Sequence, residues 1–132
     1  MPYIIAFIAS GIVFLALDLA WLGGLARDFY RDQMSALIAP DFNIPAAAAF
    51  YVIYLLGMIY FAIAPALDEN SVGMVVVRSA AFGFFCYATY DLTNLAVMRD
   101  YPPVLAVVDI AWGVFLTMSA SLAGFLAARA VS

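Results

Sequence analysis

Residues 103–128 read PVLAVVDIAWGVFLTMSASLAGFLAA, an apolar run broken by one charge, Asp109. At 1.5 Å per residue, a helix over this stretch outreaches the ~30 Å hydrocarbon core of a bilayer. Three further runs have the same character, over about residues 2–26, 46–66 and 72–98. Lipid offers the backbone no hydrogen bonds, so such runs have to be helical. The expected fold is all-α: an integral membrane bundle of four transmembrane helices forming one domain over residues 1–132.

Composition carries the same message. Of the 132 residues, 68% are apolar or aromatic and only 11% are charged, and mean hydropathy is +1.07. A soluble domain is nearer half apolar and a quarter charged. A chain this short cannot hide that much apolar surface in a water-soluble core, so its main partner is the lipid bilayer.

The connections are short and polar. Asp68-Glu69-Asn70-Ser71 and Arg99-Asp100-Tyr101-Pro102 read as turns, and Pro45 and Pro103 sit where a first-turn proline is tolerated. Short turns make neighbouring helices antiparallel. The first connection is longer. Tyr30, Met34, Leu37 and Ile38 recur there at helical spacing, which predicts a short amphipathic helix in the interface between helices 1 and 2. Arg27, Arg31 and Arg99 lie on one side of the membrane, and Arg78 and Arg129 on the other. That balance leans towards a cytoplasmic placement of the first and third connections. The opening run has no basic residue before it and is too long for a signal-peptide core, so it is expected to be a retained span.

Charge and residue type exclude several functions. The net charge is −4 and there is no Lys, so no basic face exists for nucleic acid. There is no His, which removes imidazole ligation of haem, zinc or copper. Neither a cofactor nor a metal is expected. Cys86 stands alone and reads as a small hydrophobe.

The chemistry lies in a polar band inside the spans. Asp18, Asp91 and Asp109 are intramembrane carboxylates, each costing roughly 2.5–3.5 kcal/mol at a helix centre. Counted from the helix ends facing the first and third connections, they lie at depths of ~9–12 Å. Tyr51 and Tyr54 of helix 2 fall in the same band. Tyr87, Tyr90, Asp91 and Asn94 share a stripe of helix 3. Trp21 and Trp112 stand one helical turn from Asp18 and Asp109. Small residues fill the opposite half: Ser79 and Gly83 in helix 3, and Ala120, Gly124 and Ala128 in helix 4, as close helix packing requires.

Two readings of the band stand side by side. One is structural: carboxylates bonded to Tyr, Trp and Asn lock the helices together. The other is a ligand-binding or proton-exchanging site. In it Asp18, Asp91 and Asp109 supply charge, Trp21, Trp112, Tyr54 and Tyr90 form an aromatic cage, and Asn94 is an orienting donor. A carboxylate ringed by aromatics suits a small cationic or amphiphilic ligand, bound or carried in exchange for protons. Four helices are few for a transport path, so a homodimer is expected with that function. An accessory subunit of a larger membrane complex is the alternative. A lipid-acting enzyme ranks below both, because no His, Lys or activated Ser or Cys arrangement accompanies the carboxylates.

Several motifs recur as a set. They are Asp18-Leu19-Ala20-Trp21-Leu22, the F-Y-x-x-Y-x-x-G of Phe50 to Gly57, the Y-A-T-Y-D-L-T-N of Tyr87 to Asn94, and Asp109-Ile110-Ala111-Trp112-Gly113. Together they resemble a family of small bacterial membrane proteins known as domain of unknown function 2177. The resemblance covers nearly the whole chain. It implies a four-span fold and a multi-pass location in the bacterial inner membrane, and it implies no substrate.

Overall fold

The computed structural model describes residues 2–21 and 44–131. The interfacial helix expected between the first two spans falls outside them. Among the described residues, four helices are long and apolar enough to cross a membrane: α1 (Pro2–Ala20), α2 (Ile44–Glu69), α3 (Val72–Val97) and α4 (Pro103–Val131). They form an antiparallel bundle. α4 packs against both α1 and α3, and α2 closes the remaining side.

The bundle is layered. At one end Ala6, Ile63, Ala66, Val75, Phe125 and Ala128 pack together. Phe14, Tyr54, Leu55, Met58, Leu116 and Ala120 fill the middle. Tyr101, Leu105 and Ala106 close the end that carries the α3–α4 connection. Large apolar side chains such as Ile8, Ile12, Ile53, Phe85, Leu92 and Val107 face outward. Ser10, Ser79, Thr117 and Ser121 are buried. Small and weakly polar groups inside, with bulky apolar groups outside, is the distribution expected when lipid is the solvent.

The helix ends are built by specific residues. Asn70 ends α2 in the left-handed region, with φ 49°. Ser71 caps α3, its side chain accepting from the Met74 N–H at 3.1 Å. Two residues thus reverse the chain. In α2, Pro65 has no N–H, so the carbonyl of Phe61 loses its α-helical donor. The proline ring would also crowd that carbonyl, and a wider π-helical turn over Ile59–Ile63 precedes it. Arg78 of α3 supplies the missing donor, its Nη1 lying 3.2 Å from the Phe61 oxygen. From its place in the sequence, Arg78 is expected to snorkel to the interface or else to meet Asp68 or Glu69. The structure instead ties it to α2, because an orphaned carbonyl in lipid needs a partner.

α3 and α4 approach closely where Tyr87 lies over Gly113. A Cβ at Gly113 would overlap the ring at Cγ and both Cδ atoms. Gly83 faces Thr117 and the Gly113 carbonyl in the same seam. Beyond it, the chain turns through Asp100, with φ 62°, and Tyr101 folds back beneath the helices. Its hydroxyl donates to Asp91 Oδ1 at 2.7 Å. Tyr101 is 5% exposed and Asp91 fully buried, so the bond is shielded from solvent.

Two outcomes are expected. Gly113→Ala should destabilise the bundle by about 1–3 kcal/mol through overpacking, outweighing the helix-propensity gain of about 1 kcal/mol. Thermal unfolding in detergent measures it, and an unchanged midpoint would refute the contact. Tyr101→Phe should cost about 1–3 kcal/mol by stranding a buried carboxyl oxygen. Burial first, and then the bond to Asp91, push the Tyr101 phenol above its ordinary value. Its contribution is therefore complete below the pH where an unfolded tyrosine ionises, about 10. It fades as pH climbs through the higher folded-state value. Unfolding measured from neutral to alkaline pH should show a decline in the wild type that is smaller in the variant.

Candidate functional site

Between the four helices, in the half nearer the α3–α4 connection, lies a cavity of about 470 Å³. Each helix contributes to its wall. α1 brings Asp18, with Trp21 just beyond its end. α2 brings Phe50, Tyr51 and Tyr54. α3 brings Cys86, Tyr87 and Tyr90, and α4 brings Asp109 and Trp112.

Asp18 is anchored from across the cavity. The Tyr51 hydroxyl donates to its Oδ2 at 2.6 Å. The Tyr51 ring is held in turn by Phe14, edge to face with centroids 5.6 Å apart. Tyr54, one turn further along α2, shares a 2.7 Å hydrogen bond with Thr117 Oγ1 of α4. It meets Tyr87 edge-on, at 6.1 Å and 86°. Tyr87 lines the same cavity as Asp18 and Asp109.

The indoles of Trp21 and Trp112 stack, with centroids 4.4 Å apart and planes 9° from parallel. They join the end of α1 to the first turns of α4. Among the described residues the buried Trp112 Nε1–H has no hydrogen-bond partner, which leaves a donor in the wall for a bound acceptor. Tyr90 is more than half exposed and marks the rim.

Six of the eight residues singled out from the sequence therefore line one space: Asp18, Asp109, Tyr54, Tyr90, Trp21 and Trp112. The other two do not. Asp91 lies behind the wall, beside Asp109 but turned to Tyr101. Asn94 keeps company with Tyr101 rather than with the cavity. The expected ring of three carboxylates is thus two in the cavity and one in a network beneath it. The loop tyrosine, which carries the donor Asp91 needs, accounts for the difference.

Tyr51 and Tyr87 belonged to the same band in the sequence but were not chosen as site residues. Their signal was there, in the F-Y-x-x-Y motif of α2 and the tyrosine stripe of α3. Among the described residues, no group of three His, Cys, Asp or Glu side chains is placed to hold a metal ion.

The chemistry available is electrostatic and π in kind. Two carboxyl groups face a space whose other walls are mostly rings. Cations over ring faces gain about 2 kcal/mol or more when desolvated, and low polarity strengthens their attraction to a carboxylate.

No curated protein matches this chain, and no solved structure does. Residues 3–126 match the family model described as "Predicted membrane protein (DUF2177)". The chain is a multi-pass membrane protein and belongs to that family.

Proposed function

We propose that this protein binds a small organic cation or cationic amphiphile within the membrane, at Asp18 and Asp109, inside a cage of Trp21, Trp112, Tyr54, Tyr87 and Tyr90. The observation that carries this reading is the aromatic-walled cavity of about 470 Å³ with a carboxyl group on each of two facing helices. Its volume falls in the usual range for small-molecule sites, roughly 300–1,000 Å³. Structural glue needs no such space.

Tyr51 is the positioning residue for Asp18. Coupled to an opposing flow of protons, such binding would make the protein a proton-exchanging carrier. In that role two copies would combine to complete a path. The bacterial inner membrane is the location that goes with this reading, and the family resemblance supports it.

The two tryptophans of the chain, Trp21 and Trp112, both stand in the cavity wall. Intrinsic fluorescence therefore reports the site without background. Titration of the detergent-solubilised protein with a quaternary ammonium probe should quench it saturably. The probe's uncharged carbon isostere should bind at least tenfold more weakly. Asp109→Asn and Asp18→Asn should each weaken binding about tenfold or more, equivalent to about 1.4 kcal/mol. Tyr51→Phe should weaken it less, because the charge remains. Equal affinity for the charged and uncharged probes, or full affinity in both Asn variants, would remove the proposal.

A further inference from the structure

A second concave surface lies on the outside of the bundle, between α2 and α3. It is a groove of about 630 Å³ whose walls include Phe61, Arg78, Ala81, Phe82, Phe85 and Thr89. It faces lipid, and Phe61 and Phe85 are more than half exposed. The groove is apolar along its length. Phe61 and Phe82 stack at 5.5 Å and 22° to form its floor. The Thr89 hydroxyl is returned to its own helix, donating to the Phe85 carbonyl at 2.6 Å. Its one charge is Arg78, near the end that faces the α2–α3 turn.

We infer that this groove holds one anionic phospholipid, with the headgroup phosphate on Arg78 and an acyl chain along α3 as far as Thr89. Three features argue for that occupant. The first is charge. Arg78 is exposed on the lipid face, and the Phe61 carbonyl is its one hydrogen-bond partner among the described residues. A guanidinium has five N–H donors in a fork that suits phosphate, so most of them remain to be met.

The second is position. Arg78 lies six residues beyond Val72, about 9 Å inside the end of α3. With Nη1 held on the Phe61 carbonyl, the guanidinium keeps its remaining N–H groups at that level, where a phosphate seated at the mouth of the groove meets them. The third is length. From Arg78 to Thr89 is about 16 Å along the helix, close to half of a ~30 Å hydrocarbon core, the depth of one leaflet. Cation, aromatic floor and groove length thus match one lipid molecule from head to tail.

This site adjoins the cation cavity at Cys86, which lines both, but the charged groups are divided between them: Arg78 lines only the groove, and the carboxylates line only the cavity. The two proposals therefore fail independently.

The test is native mass spectrometry of the full chain, released from micelles containing equal amounts of phosphatidylglycerol and phosphatidylcholine with the same chains. The wild type should retain one phosphatidylglycerol at least fivefold in preference to phosphatidylcholine. Arg78→Gln should lose that preference. Ala81→Trp should fill the groove and lose it as well, while leaving Arg78 and its bond to Phe61 in place. This second variant keeps the test open if loss of the Arg78 bond disturbs α2. Arg129→Gln, which removes a cation stacked on Phe125 away from the groove, should retain the lipid. Equal retention of both lipids by the wild type overturns the inference. So does undiminished preference in a folded Ala81→Trp variant. A dimer that dissociates on Ala81→Trp, with no lipid retained, would assign the groove to a second copy instead.

Discussion

Inside a bilayer a polar group has no water to turn to, and every donor and acceptor has to be met by another part of the chain. The architecture follows from that constraint. The backbone meets it by forming helices. Two buried serines meet it locally: Ser10 donates to the Ala6 carbonyl at 2.6 Å and Ser79 to that of Val75 at 2.5 Å. Each bonds within its own helix, which leaves a small buried surface for a neighbour to pack against. Gly124 uses such a surface, lying against Ser10 and the Ala6 carbonyl.

Where a helix cannot meet the demand itself, another element does, and these contacts hold the bundle in register. Pro65 strands the carbonyl of Phe61, and Arg78 reaches it from α3. Asp91 takes its donor from Tyr101 in the connection, and Asp18 takes its donor from Tyr51 in α2. Each bond links residues that belong to different elements. A carboxylate in hydrocarbon is thus a constraint on helix rotation: its partner fixes which way the helix faces. The cost of burying these groups is offset by the bond and by the specificity it gives to packing that is otherwise apolar against apolar.

The cavity is built by the same exchange of partners. Asp18 takes its donor from Tyr51, and Asp109 stands with Trp112 in the wall. The surrounding rings are held by one another: Phe14 on Tyr51, Tyr54 on Tyr87, Trp21 on Trp112. Rings fixed by mutual packing cost little further entropy when a ligand arrives, which favours binding. Gly113 contributes by absence, because its missing side chain lets Tyr87 lie against α4 and form one wall.

Hydrophobic length is a property of the chain in one dimension, and the sequence determined it alone: four spans, their order and their antiparallel alternation. The bounds moved modestly. α2 runs Ile44–Glu69 rather than 46–66, and α4 runs to Val131 rather than 128. The polar turn at Asn70 and Ser71 was readable because cap chemistry is local. The depth of the carboxylates was readable because rise per residue is constant. Only the tertiary structure decided which way each polar group faces. These helices are apolar nearly all round, so no stripe in the pattern sets their rotation. Asp91 could have faced Asp18 across the bundle, and it turns instead to a tyrosine ten residues on, which a chain reversal through Asp100 brings beneath it. The π-helical turn of α2 and the capture of Arg78 likewise depend on where α3 lies relative to Pro65, a relation between helices that no single helix encodes.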